Sequence, residues 1–118
     1  MADSVEEAER NTELLLEATK QLRASLRATE TVYRRTLRNI QQRSAVTSTL
    51  RANHADIARL ELTKALQEFE RQRHKTRISL IATQLAEGES IAEIGRTWGF
   101  SRQLAATFAR EARDSDRQ

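Results

Sequence analysis

Residues 91–112 read IAEIGRTWGFSRQLAATFAREA, and this stretch decides the predicted fold. Ser90 and Glu93 form a capping-box pattern, which predicts that a helix begins directly after the serine. Gly99 predicts the end of that helix, because glycine readily adopts the left-handed backbone conformation that closes one. Ser101 follows as the predicted N-terminal cap of a second helix. The stretch therefore predicts two short helices joined by a tight turn.

Apolar residues in and before this stretch recur at helical spacing, which indicates one buried face on each helix. The residues expected to face inward are Ile91, Ile94 and Trp98 in the first helix and Leu104, Ala105, Phe108 and Ala112 in the second. A preceding supporting helix is predicted from Ile78, Ile81, Ala82 and Leu85, with its end at Glu87-Gly88. Because a unit of three short helices needs large side chains in its core, we expect Trp98, Phe100 and Phe108 to be buried there.

The stretch resembles the helix-turn-helix DNA-binding modules of bacterial regulators of the resolvase-like and sigma-factor-like kind. The residues that carry the resemblance are Ile94-Gly95, Trp98-Gly99-Phe100, Ser101-Arg102-Gln103, Ala105 and Phe108. Gly95, midway along the first helix, lets the second helix cross closely. Leu104 stands where such modules commonly have a polar residue. The resemblance covers about a fifth of the chain and implies a C-terminal three-helix unit that binds DNA.

In such modules the second helix enters the major groove, which here implies the segment from Ser101 to about Arg113. The residues implied as base contacts are Arg102, Gln103, Ala106, Thr107 and Arg110. Arginine can bond guanine through two acceptors, and glutamine can do the same with adenine. The residues expected at DNA phosphates are Ser101, Arg96 and Arg113, the first because it lies at a helix N-terminus.

A basic run, RQRHKTR at residues 71–77, precedes the supporting helix. One interpretation is a solvated helix face. The other is a stretch that contacts phosphates through Arg73, Lys75 and Arg77 and leads into the DNA-binding unit. The sequence leaves both interpretations open.

The composition predicts an all-α fold of one domain, or of one small domain with an extended arm. The 118 residues include no proline, three glycines and 4% aromatic residues, whereas a sheet protein would need more β-branched, aromatic and turn residues. Cysteine is absent, which excludes disulfides and thiolate chemistry. Because no stretch is apolar enough for a membrane span or a signal peptide, we expect a cytoplasmic, nucleoid-associated location and no membrane partner.

The net charge is only +3, but it is unevenly distributed. Residues 1–20 carry six acids and two bases, whereas residues 21–51 carry seven bases and one acid. Most of the basic charge thus lies outside the predicted DNA-binding unit. This matters because non-specific affinity for DNA comes largely from phosphate contacts.

Residues 5–42 contain no glycine or proline and predict one long N-terminal helix with a seven-residue repeat. One predicted set of seam positions is Val5, Thr12, Thr19, Leu26, Tyr33 and Ile40, and the other is Ala8, Leu15, Leu22, Thr29 and Thr36. A helix of this length needs a partner for its apolar side, either a second copy or the next helix of its own chain. The many threonines make the seam weak for a two-stranded coiled coil, and Leu16 and Leu37 beside it widen the apolar stripe, which favours a bundle formed by a dimer.

Residues 43–53, RSAVTSTLRAN, are poor helix formers and predict a break, with Asn53 as the cap of a second helix. That helix, with Ile57, Leu60, Ala65, Leu66 and Phe69 as its apolar members, is expected to turn back as an antiparallel hairpin. The predicted domains are a helical dimerisation region at 1–75, a helix-turn-helix unit at 76–113 and a polar tail at 114–118.

No residue pattern indicates catalysis or a metal. His54 and His74 lie twenty residues apart without the spacing of metal ligands, and we expect both on the surface. The three glycines do not form a phosphate-binding loop. We therefore expect neither an enzyme nor a cofactor or metal site.

The sequence as a whole predicts a double-stranded DNA-binding transcriptional regulator that acts as a homodimer. Two alternatives remain. One is a scaffold that recruits another protein through the N-terminal helices, favoured by Glu87, Glu89, Glu93 and Glu111, which would repel phosphate. The other is a nucleoid protein that coats DNA through the basic stretches without reading its sequence.

Overall fold

The structure, a computed structural model, describes residues 4–116, and within that range every regular element is a helix. The helices are α1 (Ser4–Gln41), α2 (Val46–Ala52), α3 (Ala55–Ala86), α4 (Ile91–Trp98) and α5 (Arg102–Asp116). The all-α fold and the long N-terminal helix are confirmed. Part of the predicted polar tail continues α5, and its last two residues lie outside the described range. Across residues 4–116, no helix combines the length and apolarity needed to cross a membrane.

The chain divides into two compact units, and each contains parts of α1 and α3. The hairpin unit is residues 16–71, and the terminal unit is residues 1–15 with residues 72–118. The division in α3 thus falls at residue 71 rather than at the expected residue 75. Helix α3 runs uninterrupted through both positions, since nothing between residues 55 and 86 is a glycine or proline. The first turns of α1 belong with the C-terminal helices, which the sequence did not indicate.

In the hairpin unit, α1 and α3 each have one narrow row of buried or half-buried side chains. On α1 the row is Ala18, Leu22, Ser25, Thr29, Val32, Thr36 and Asn39, and on α3 it is Ala58, Leu62, Ala65 and Phe69. Spacings of three and four residues alternate along both rows, as expected where two helices pack along a seam. Because residues 16–71 form one unit in which α3 returns after α2, the rows pack as the expected antiparallel hairpin.

Seven of the eleven predicted seam positions on α1 are buried or half-buried, and four are exposed. Ala8, Leu15, Leu22, Thr29 and Thr36 are buried or half-buried as expected. In the other predicted set, Thr12 and Thr19 are half-buried as expected. Val5, Leu26, Tyr33 and Ile40 are exposed, and the residues before them, Ser4, Ser25, Val32 and Asn39, are half-buried instead. Small and polar side chains fill the seam because it is narrow and because hydrogen bonds compensate the burial of its polar groups.

In the terminal unit, a buried polar cluster joins the start of α1 to α3. Thr76 Oγ1 and Gln72 Nε2 both donate to the backbone carbonyl of Asn11, at 2.8 and 3.1 Å. The amide of Asn11 donates to Ser79 Oγ at 3.2 Å. About two turns towards the N-terminus of α1, Thr83 Oγ1 donates to the Ser4 carbonyl. The bonded residues come later in α3 as they come earlier in α1, so the two helices are antiparallel here as well.

The connection between α1 and α3 differs from the predicted break. Residues 46–52 form the short helix α2, and the chain turns on either side of it at Arg43 and His54, which have φ angles of 65° and 56°. Asn53 ends α2 instead of starting α3. Its amide donates to Thr36 Oγ1 and to Asn39 Oδ1, both at 3.2 Å. A side chain predicted to cap a helix thus ties the connection to α1.

Replacing Thr76 by valine removes the hydroxyl at nearly constant volume and weakens the buried polar cluster. We expect the free energy of unfolding to fall by about 1–3 kcal/mol, because the Asn11 carbonyl loses its shorter hydrogen bond. Urea denaturation measures the change. Thr31→Val is the matched control, since that hydroxyl is exposed and bonds only within its own helix. Equal losses in the two variants would contradict a stabilising role for the cluster.

Candidate nucleic-acid interface

The ends of α4 and the start of α5 are set by the three residues that the sequence indicated. Ser90 Oγ accepts a hydrogen bond from the amide of Glu93 at 3.1 Å and caps α4. Gly99 ends α4 in the left-handed conformation, with φ 76° and ψ 25°. Ser101 Oγ accepts from the amide of Leu104 at 3.1 Å and caps α5. These local predictions are confirmed.

Close packing of α4 against α5 depends on Gly95. A Cβ atom placed there would lie 3.2 Å from the carbonyl oxygen of Phe100 and 3.5 Å from the Cβ of Ala105. On α5 the buried face consists of small residues, since Ala105, Ala109 and Ala112 are all at most 1% exposed. The expected close crossing at Gly95 is confirmed.

The core of the terminal unit contains the predicted aromatic residues. Ile81 and Ile94 are fully buried, and Trp98, Phe100 and Phe108 pack against the cluster around them. The rings of Trp98 and Phe100 stack with centroids 5.7 Å apart. The indole N–H donates to Gln84 Oε1 at 2.8 Å, which satisfies its polar atom. The three aromatic side chains thus pack in the core of the terminal unit.

The prediction that Leu104 faces inward is wrong. Its side chain is 40% exposed, whereas the next residue, Ala105, is completely buried. Successive residues of a helix point roughly 100° apart, so the two cannot share one narrow buried face. Ala105, Phe108, Ala109 and Ala112 form that face at proper helical spacing. An apolar side chain is therefore presented to solvent in the first turn of α5.

The five predicted base contacts lie together on the outer side of α5. We call this set the reading face: Arg102, Gln103, Ala106, Thr107 and Arg110. All are exposed except the alanine, which is half-buried. Their spacing of one, three and four residues puts them on one side of a helix, opposite the buried alanines. Arg102 and Gln103, which carry a guanidinium and an amide group, lie in the first turn of α5.

Several of the predicted phosphate contacts surround this face. Arg96 and Arg102 line one shallow cleft beside Gly99 and Phe100, so two arginines from adjacent helices flank the turn. Arg96 also forms an exposed ion pair with Glu93. Ser101 and Arg113 are exposed at the start and near the end of α5.

The basic run before the core is mostly engaged within the protein. The guanidinium of Arg77 lies 4.4 Å from the ring centroid of Phe108 and contacts His74 Nδ1 at 3.1 Å. His74 Nε2 in turn contacts the Glu111 carboxylate. Arg77, which the sequence predicts as a phosphate contact, thus packs α3 against α5.

The other basic residues of the run are more exposed than Arg77. Arg73 and Lys75 have exposed side chains, as phosphate contact would require. Arg71 is held by two hydrogen bonds from its guanidinium to the Glu68 carboxylate, and these bonds together with the charge of that carboxylate raise the pKa of Arg71. Among the described residues, no group of histidines and acids is placed to hold a metal ion.

Sequence reasoning missed two features of this region. The contact between His74 and Glu111 joins residues 37 positions apart, so no local spacing could indicate it. The exposure of Leu104 agrees with the polar residue common at that position in the helix-turn-helix modules that the stretch resembles, whereas helical periodicity alone predicts a buried side chain. His54, by contrast, is exposed as expected.

Comparison of the chain with protein-family models, with curated proteins and with solved structures finds no match.

Gly95→Val tests the close approach of α4 and α5. The added methyl groups would press on the Phe100 carbonyl and the Ala105 side chain, so we expect a loss of about 1–3 kcal/mol in unfolding free energy. Thermal and urea denaturation measure it. Thr97→Val introduces the same side chain at an exposed position of α4 and should change stability by less than about 0.5 kcal/mol. Comparable losses in both variants would show that valine in α4, not crowding, is responsible.

Proposed function

We propose that this chain is a sequence-specific double-stranded DNA-binding protein, a bacterial transcriptional regulator located at the nucleoid in the cytoplasm. It binds as a homodimer with α5 in the major groove. The observation that carries the proposal is the exposure of Arg102 and Gln103 in the first turn of α5, a helix whose opposite face is buried. The resemblance of residues 91–112 to helix-turn-helix modules supports it.

The reading face offers chemistry suited to base edges. A major groove about 12 Å wide admits one α-helix, and each base pair presents a distinct pattern of donors and acceptors there. Arg102 suits guanine N7 and O6, and Gln103 suits adenine N6 and N7. Leu104, exposed beside them, adds an apolar surface that fits the methyl group of thymine. Thr107 and Arg110 extend the face by two turns.

Phosphate contacts would hold the helix in register. The N-terminus of α5 presents the Ser101 region to an anion, and Arg96 and Arg102 line the cleft beside it. Arg113, Arg73 and Lys75 supply further exposed positive charge. We assign Arg77 to packing against Phe108 rather than to phosphate.

The acids near the reading face favour the scaffold alternative less than their number suggests. Glu93 pairs with Arg96, and Glu111 contacts His74, so two of the four carboxylates have local partners. Glu87 and Glu89 lie at the connection before α4 rather than on α5. The outer side of α5 within residues 102–110 carries two arginines and no acid.

The direct test is fluorescence anisotropy of duplexes selected from a random pool. We expect Arg102→Ala and Gln103→Ala each to weaken binding to the selected site by roughly tenfold, because a two-point contact to one base is lost. Lys64→Ala, at an exposed position of α3 in the hairpin unit, is the control and should leave affinity unchanged within about twofold. Selected-site affinity that withstands both reading-face substitutions would contradict the proposal.

A coating role is the second candidate, and the exposed arginines of α1 favour it. Arg23, Arg27, Arg34, Arg35 and Arg38 are all exposed in the hairpin unit. Coating predicts no preferred sequence in the selection, binding that disappears between 50 and 200 mM salt, and loss of affinity in Arg35→Ala/Arg38→Ala but not in Arg102→Ala. Sequence-specific binding by α5 predicts that Arg102→Ala lowers the affinity and that Arg35→Ala/Arg38→Ala does not.

A further inference from the structure

Five large apolar side chains lie exposed on one side of α1 in the hairpin unit. We call them the outer stripe: Leu16, Leu26, Tyr33, Leu37 and Ile40, each between 39% and 59% exposed. At roughly 100° per residue they fall within an arc of about 120°, centred about 90° away from the seam with α3. Apolar residues gathered on one face, rather than scattered, are typical of an interaction surface.

Three charged residues, Arg23, Glu30 and Arg34, lie within the arc of the outer stripe, and Arg34 forms an ion pair with Glu30 of its own helix. Leu16, Arg23, Glu30 and Leu37 follow one another at seven-residue intervals. A seven-residue step returns almost to the same side of a helix, so these four share one line along α1. The line reads apolar, basic, acidic, apolar, and its charge changes sign about its own centre.

This order distinguishes the two ways in which a second copy could pair. Parallel helices in register would place Arg23 against Arg23 and Glu30 against Glu30, and opposed like charges are unfavourable. Antiparallel helices that cross between Leu26 and Arg27 place each Arg23 opposite Glu30 of the other copy. The same alignment places Leu16 opposite Leu37 and brings the two copies of Leu26 together. The charged residues thus match only in the antiparallel arrangement, in which Tyr33 and Ile40 lie opposite Lys20 and Glu13 of the other copy.

We propose that the outer stripe binds the outer stripe of a second copy of this chain, with the two α1 helices antiparallel. Each hairpin then contributes α1 and α3 to a four-helix bundle, which is the arrangement that a wide apolar surface favours. The inference rests on the proposed dimeric function and adds its surface and direction. Antiparallel pairing gives a two-fold axis perpendicular to the helices, the symmetry that a palindromic DNA site requires.

Charge-swap variants test the pairing by sedimentation equilibrium. The wild-type chain should be a dimer, and Arg23→Glu or Glu30→Arg alone should weaken dimerisation roughly tenfold, because each turns two attractive contacts into repulsive ones. The double variant Arg23→Glu/Glu30→Arg should recover affinity to within about threefold, since opposite charges again face each other. Arg35→Glu, about 180° away from the stripe on α1, is the control and should have little effect. Circular dichroism confirms that each variant remains helical.

Cysteine cross-linking gives an independent readout, since the chain contains no cysteine. Leu26→Cys should form a disulfide-linked dimer under mild oxidation. Leu16→Cys and Leu37→Cys should cross-link to each other when mixed but not each to itself. Self-linking of each of those two variants would indicate parallel pairing and overturn the inference.

The remaining outcomes separate this inference from the proposed function. A dimer that is insensitive to the charge variants and does not cross-link through Leu26→Cys would place the interface elsewhere, while DNA reading by α5 stands. A wild-type chain that stays monomeric would leave the outer stripe to a different protein and would overturn both the inference and the proposed dimer. A wild-type chain that dimerises as proposed but does not bind a selected duplex would count against the proposed DNA-binding function alone.

Discussion

The orientation of α5 depends on how closely its backbone approaches α4. At the crossing, Gly95 offers no side chain and Ala105 offers one methyl group, so the two helices meet almost backbone to backbone. Ala109 and Ala112 continue the same buried face. With these small residues fixed inside, Arg102 and Gln103 must point outward. The proposed DNA-reading face is therefore a consequence of packing on the opposite side of the helix.

The seam between α1 and α3 has a related consequence for the outer surface. Much of that seam is small or polar, including the buried Asn11, Thr36, Gln72 and Thr76. Each of these side chains makes a hydrogen bond within the seam or to its own helix, so their burial is tolerated. Since small and polar residues occupy so many inner positions, several leucines and a tyrosine remain outside. In the hairpin unit the inner row of α1 includes Ser25, Thr29 and Thr36, and Leu26, Tyr33 and Leu37 remain exposed.

The sequence was informative where structure is decided by neighbouring residues. Ser90, Gly99 and Ser101 act through bonds to residues within four positions, and their roles followed from the pattern alone. Four predicted seam positions of α1 are exposed for a physical reason. Periodicity weights apolar side chains, so Leu26 and Tyr33 were expected inside, where Ser25 and Val32 lie. Only the partner helix decides between two such rows one residue apart.

Contacts between distant segments could not be derived from the chain by itself. Arg77 was part of a basic run, and its position over Phe108 depends on α5 returning to α3. The same holds for Asn11, which bonds to residues more than sixty positions away. The sequence around Arg77 and around Asn11 does not indicate these contacts, because tertiary packing sets the surroundings of both side chains.

Methylation interference on a selected duplex would test most directly whether α5 reads bases. Dimethyl sulfate modifies guanine at N7, an acceptor exposed in the major groove. If Arg102 and its neighbours contact base edges from a symmetric dimer, methylation should block binding at guanines in two positions related by a two-fold axis. Binding that is unaffected by guanine methylation, and is lost only when phosphates are ethylated, would contradict the assignment of α5 as a reading helix.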